Sequence, residues 1–172
     1  MSTAIVRVPA GRSKSRDAVW KVILHQGKTT HVTKLDELVV YVQGHYTAFN
    51  NQVALNILKQ GISSRAINPL SHFLGVPQGE MAVILDLDRT TARRRAEKDL
   101  PLPMHSAENV LRVLELEEMA ADTFESEEAA LGWLRRPHPM LEGDSPLEAA
   151  KTSFGARRVK EILVAIKHGG VV

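Results

Sequence analysis

The chain has 172 residues, 44% of them apolar and 24% charged, with a net charge of +2. Such a balance suits one compact domain or two small ones. The absence of cysteine excludes disulfides and thiolate metal sites and fits a cytoplasmic setting. The longest apolar runs, such as Leu38–Val42 and Met81–Leu85, are five residues, too short for a bilayer span or a secretory signal. Aromatic residues make up only 5%. The core must therefore come from Leu, Val, Ile and Ala, which favours packed helices and an all-α fold.

Charge is unevenly spread along the chain. Residues 1–30 carry +5, residues 89–103 carry +3 and residues 151–172 carry +4, whereas residues 104–150 carry −8. The basic blocks are candidate contacts for anionic surfaces, and the acidic middle should repel nucleic acid.

In chain order, Met1 to about Arg16 is rich in Ser, Gly and basic residues without periodicity and reads as a flexible arm. Ala18–Val32 has β-branched runs either side of Gly27 and fits a short hairpin, although a helix fits as well. Leu35–Gln43 and Thr47–Lys59 are expected to be helical, with Gly44 and Gly61 as stops. Ser63 or Ser64 can cap a helix carrying Ile67, Leu70, Phe73 and Leu74, with Pro69 bending or shifting its start. A short helix over Gln78–Leu85 follows, then the turn Asp86-Leu87-Asp88, then a helix from Arg89 to about Lys98 with Asp88 as N-cap. After the Leu100–Pro103 connector, a long helix is expected from about Ser106 to Thr123. Ser126-Glu127-Glu128 opens another, ending near Arg135. Pro146 suits the first turn of a short helix, and Gly155 precedes a closing helix with Val159, Ile162, Leu163 and Ile166 on one stripe. The implied organisation is an N-terminal extension over 1–49, a helix-turn-helix body over 50–123 and a small helical domain over 124–172.

Two short helices joined by a three-residue turn, the second capped and rich in Arg, describe a helix-turn-helix. Ala92 and Ala96 can pack inward, leaving Arg89, Thr90, Arg93 and Arg94 outward. With Thr91 and Arg95 these are the candidate DNA contacts, since Arg bonds guanine edges and Thr meets phosphates or thymine methyls. An Arg-rich solvated helix paired with the acidic segment after it is the alternative.

The last forty residues look like a surface built to be gripped. Trp133 suits an interface anchor or, with Leu134, the core. In Pro137–Gly143, two prolines restrict the backbone and can present Pro139, Met140 and Leu141 at little ordering cost, unless these pack inward. Arg157 and Arg158 sit at the wrong helix end for the dipole, a hint of an external acidic partner. No catalytic constellation is present. The seven histidines are scattered, without metal-ligand spacing, and neither a Walker loop nor a nucleophile elbow occurs. The chain is therefore expected to be no enzyme and to need no cofactor or metal.

The ordered string Trp133-Leu134-Arg135-Arg136-Pro137-His138-Pro139-Met140-Leu141, Asp144-Ser145-Pro146-Leu147-Glu148 and Gly155-Ala156-Arg157-Arg158-Val159, ending at Lys167-His168-Gly169, resembles a known family. It is similar to the toxin-binding domain of Xre/MbcA/ParS-type antitoxins, whose toxins in type II pairs are RES-domain proteins acting on NAD. The resemblance runs from about Gly61 to the end and leaves roughly the first 45 residues unexplained. It implies a toxin partner, operator binding for autoregulation, and pairing with a second copy as a homodimer, with no membrane. It further implies that the end of the chain obstructs the toxin's NAD pocket, which adds Lys167, His168, Gly169 and Gly170 to the toxin-facing candidates. Where relatives often carry Leu-Gly-Ile-Ser at the turn, this chain has Leu85-Asp86-Leu87-Asp88, which puts a non-glycine where a left-handed residue is wanted. A stand-alone helix-turn-helix regulator with a dimerising C-terminal domain is the other reading.

Overall fold

A computed structural model describes residues 13–24, 38–42 and 45–170. The first helix, α1 (Lys14–Leu24), buries Val19, Trp20 and Ile23, a spacing that places all three on one face. This corrects two expectations. Arg16 is buried within α1, and not part of a flexible arm. Ala18–Leu24 is helical, and not the first half of a hairpin, because its apolar residues follow a helical period. The remainder of both segments, residues 1–12 and 25–32, lies outside the described residues.

The hairpin forms later, between β1 (Val39–Val42) and β2 (His45–Phe49), where helices were expected. The strands are antiparallel, pairing Val39 with Phe49 and Val42 with His45, with a register shift between Val40 and Tyr41. Val39-Val40-Tyr41-Val42 and Tyr46-Thr47-Ala48-Phe49 are strand-forming runs either side of Gly44. Tertiary packing decides the outcome: Phe49 meets the Trp20 ring edge-on at 6.2 Å, and the Tyr46 hydroxyl donates to Glu115 at 2.9 Å.

From Asn50 onward the fold is helical. Asn50 caps α2 (Asn51–Gln60), accepting from the amides of Gln52 and Val53. Ser63 caps a 3-10 turn (Ser64–Ala66) that leads into α3 (Ile67–Leu74), so Pro69 falls in the first helical turn where its missing N–H costs nothing. Gly75, at φ 64°, closes α3 in the left-handed conformation. Then follow α4 (Gln78–Ile84) and α5 (Arg89–Glu97). The connector after α5 is pinned: the Leu102 amide donates to Ile62 at 2.7 Å, and Ser64 donates to Leu100 at 2.9 Å.

Next comes α6 (Met104–Phe124), starting two residues ahead of the expected Ser106. Its 21 residues span about 31 Å. It packs against β2 and α2 and against the C-terminal helices. These are α7 (Glu127–Arg135), α8 (Pro146–Ala149) and α9 (Ser153–Lys167), with a 3-10 turn at Pro139–Leu141. α9 starts three residues earlier than expected, capped by Thr152, so Gly155 lies within its first turn and does not precede it. The buried residues form one connected core from Val19 to Leu163. Among the described residues, no helix is long and apolar enough to cross a membrane.

Candidate functional site

The Arg-rich face is built by α4, α5 and the turn between them. Asp86 takes φ 56°, the left-handed conformation that glycine would adopt more cheaply. Asp88 then caps α5, accepting from the Thr91 amide at 2.9 Å. That bond to a charged acceptor holds the Asp88 carboxyl below its ordinary value of 3.8. Ala92 is buried, which rotates Arg89, Thr90, Arg93 and Arg94 outward, all of them exposed. Thr91 is half-buried. Arg95 differs from the sequence expectation: it is half-buried, and its guanidinium donates to the Pro101 carbonyl at 2.8 Å, so its charge is tied to the connector.

In front of this face lies an open cleft of about 310 Å³ lined by Asn68, Gln78, Gly79, Arg89, Thr90 and Arg93. A Cβ at position 79 would sit 3.1 Å from the Arg89 Nε, so Gly79 leaves room for that side chain. Asn68 and Gln78, hydrogen-bonded to each other, are polar cleft residues that the sequence reading missed. Their signal was weak, because each stands alone on a different helix.

In the C-terminal unit the loop after α7 is folded on itself. The His138 amide donates to Asp144, and His138 Nδ1 accepts from the Met140 amide. Its ring lies 5.8 Å from Trp133, which in turn meets Phe124 at 5.7 Å. Leu134 is fully buried, whereas Trp133 is half-buried against the core. Pro139 is exposed and Met140 half-buried. Leu141, expected as a presented side chain, instead turns inward and is only 7% exposed.

The closing helix is held to α6 by two ion pairs. Lys160 pairs with Glu115 at 2.6 Å, and Lys167 pairs with Asp122. Both partners advance by seven residues along their helices, so α9 lies parallel to α6 at a two-turn repeat. Lys167 is thus a tether to α6, not a free terminal cation. The Gly169 amide donates to Ile166 and the Gly170 amide to Ala165, with Gly169 at φ 74°. These are the two bonds of a Schellman C-cap. The two glycines therefore close the helix, whatever else they touch. His168 is exposed, and Val171 and Val172 lie outside the described residues.

Arg157 and Arg158 are exposed, Arg158 pairing with Glu161 at 3.1 Å. The Arg157 guanidinium stacks 5.8 Å over the Phe154 ring. Phe154 is 77% exposed, well beyond the other exposed large apolar residues. The sequence reading overlooked it, since a Phe at a helix start is by default assigned to the core. Among the described residues, no group of three or more His, Asp or Glu side chains is placed to hold a metal ion.

The arrangement is that of a helix-turn-helix protein carrying a second, appended helical binding unit. Residues 55–115 match the antitoxin Xre-like helix-turn-helix domain, and residues 119–169 match the antitoxin Xre/MbcA/ParS C-terminal toxin-binding domain. The chain belongs to the Xre/MbcA/ParS-type antitoxins. It is 28% identical over 124 residues to the Prs ADP-ribosylating antitoxin of a Sphingobium species, an alignment covering 67% of this chain and 78% of that protein. It is 29% identical over 79 residues to Antitoxin Xre of Pseudomonas putida, covering 46% of this chain and 50% of that one.

Proposed function

We propose that this antitoxin neutralises a RES-domain toxin that consumes NAD and, as a homodimer in the cytoplasm, binds the operator of its own operon. The carrying observation is the continuity of α6: one helix joins an exposed arginine face on α5 to the matched toxin-binding unit. The Sphingobium relative's name includes ADP-ribosylation, a reaction whose usual donor is NAD, and this supports an NAD-consuming toxin.

On the DNA side, Arg89, Thr90, Arg93 and Arg94 enter the major groove, while Thr91 and Arg95 hold the helix and its connector. On the toxin side, Pro139, Met140, Arg157, Arg158 and His168 supply contacts, and Leu141, Lys167, Gly169 and Gly170 fix the frame that presents them. Inhibition is steric: the end of α9 and the residues beyond it occupy the approach to the toxin's NAD pocket, and the antitoxin contributes no chemistry.

Co-expression with a RES-domain toxin, sought in the gene beside its own, tests the reading directly. Growth should be rescued and a complex should co-purify; continued toxicity without a complex overturns it. In the same background, Arg93→Ala combined with Arg94→Ala should weaken operator binding and reduce its salt dependence. Each lost bidentate guanine contact is worth about 1–3 kcal/mol. Toxin binding should be unchanged, and a parallel loss of both activities would refute the division of labour.

A further inference from the structure

The geometry points to Phe154, with Arg157 stacked on it, as the anchor by which α9 docks into an acid-rimmed apolar socket on the toxin. This rests on the proposed toxin-binding function and adds the residue and the partner chemistry to it.

Isolated exposed apolar residues are ordinary on protein surfaces and need no partner. The α9 surface is different because its exposed residues repeat. Phe154, Arg157, Glu161, Val164 and His168 recur at steps of three and four, which places them on one helix face. All five are exposed, Val164 at 46%. From Phe154 to Val164 the stripe runs about 15 Å, and to His168 about 21 Å. Its far end is the end of the chain proposed to obstruct the NAD pocket, so the anchor also sets where that end falls.

The anchor is rigid before binding. Thr152 caps the helix at Gly155, and the Gly155 backbone lies so close to α8 that a Cβ there would approach the Ala149 carbonyl oxygen to 1.9 Å. Lys160 and Lys167 fix the rest of α9 against α6. Little order remains to be imposed on binding, the condition under which an aromatic side chain yields most affinity. Aromatic residues and Arg are enriched at the centres of protein interfaces, and here they are already stacked on each other.

Charge selects the occupant. Lys160 and Lys167 are paired with α6, so the exposed basic side chains near this face are Arg157, stacked on the Phe154 ring, and Arg158, paired with Glu161. A second copy docking through the same face would pair each residue of the stripe with a different one, and the only carboxylate it offers Arg157 is Glu161, already paired with Arg158. Nucleic acid could stack a base on Phe154 but would leave Val164 without an apolar partner. A toxin surface with an apolar socket and carboxylates at its rim satisfies both features.

The test is titration calorimetry of the full-length antitoxin against the purified RES-domain toxin that the co-expression experiment identifies. Phe154→Ala should weaken binding by roughly 30-fold, the scale of an interface hot spot. Arg157→Glu should weaken binding and reduce its dependence on salt concentration. Leu100→Ala, at an exposed apolar residue on the connector, serves as a control and should bind like wild type. Operator binding and circular dichroism of the Phe154 variant should be unchanged, since its ring contributes little to the core. Unchanged toxin affinity in Phe154→Ala, with wild type binding normally, overturns the anchor and leaves the antitoxin function standing. Failure of wild type itself to bind the toxin overturns both.

Discussion

Gly155 is the glycine with the least room for a side chain in the C-terminal unit. Its φ is not left-handed, so the requirement comes from space alone: an added Cβ would meet the Ala149 carbonyl oxygen at 1.9 Å and its carbon at 2.7 Å. Both are backbone atoms and cannot swing aside like a side-chain tip. Gly155→Ala must therefore separate α8 from α9 or bend the first turn of α9. We expect a loss of about 1–3 kcal/mol, the scale of overpacking elsewhere in proteins. Urea unfolding measures it, and an unchanged midpoint would mean that the α8–α9 corner yields easily. Because Phe154 is the preceding residue, the same variant should also weaken toxin binding. The sequence showed a glycine near a helix start, yet it could not show this close approach, which involves two elements.

At the scale of elements, the caps make a pH-dependent contribution. The Asp88 carboxyl is lowered chiefly by the Thr91 amide, and the Glu148 carboxyl by the Ser145 amide, which it accepts at 2.8 Å in a capping box. Both groups are more acidic folded than unfolded, so the native state binds fewer protons. Their stabilisation is present above the ordinary carboxylate values and is lost as pH falls through the folded values. Thermal midpoints should fall between roughly pH 5 and 3, and Asp88→Asn with Glu148→Gln should flatten that fall. Identical slopes for wild type and variant would show that the caps do not titrate with folding. These caps were legible from local signals: Asp88 before an Arg-rich helix, Ser126 before two glutamates, and Ser145 before Pro146. The hairpin over Val39–Phe49 was not, because a short β-branched run is ambiguous until its packing partners, here Trp20 and Glu115, are known. The candidate site divides likewise. Arg89, Thr90, Arg93 and Arg94 follow from helical period once Ala92 is placed inward. Phe154 emerges only when its neighbours are seen to leave it uncovered.

Across the whole molecule, α6 is shared by both functional units. The two family matches end at 115 and begin at 119, so their boundary falls inside this continuous helix. Contacts cross it repeatedly. Glu115 accepts from Tyr46 of the hairpin and pairs with Lys160 of α9. Arg16 of α1 pairs with Glu117, fully buried, and with Glu118. The Ser13 amide donates to Glu127 at the start of α7. Removing one partner from such a buried charge pair costs more than the pair contributes, which couples the unfolding of α1 to that of α6. One cooperative unit is therefore expected, not two domains on a linker. The chain's two tryptophans report on different elements: Trp20 lies in α1 against Phe49 and Trp133 beside the α7 loop. Trp133→Phe leaves Trp20 as the sole probe, and Trp20→Phe leaves Trp133. Each variant's fluorescence transition in urea should coincide with its own circular dichroism transition, which averages over all helices. A fluorescence midpoint displaced from that average in either variant would establish separate units. With a single unit, toxin bound at a hundred-fold excess over its Kd should stabilise the whole chain by about 2.7 kcal/mol. The Trp20 signal should then move with the toxin as fully as the Trp133 signal does.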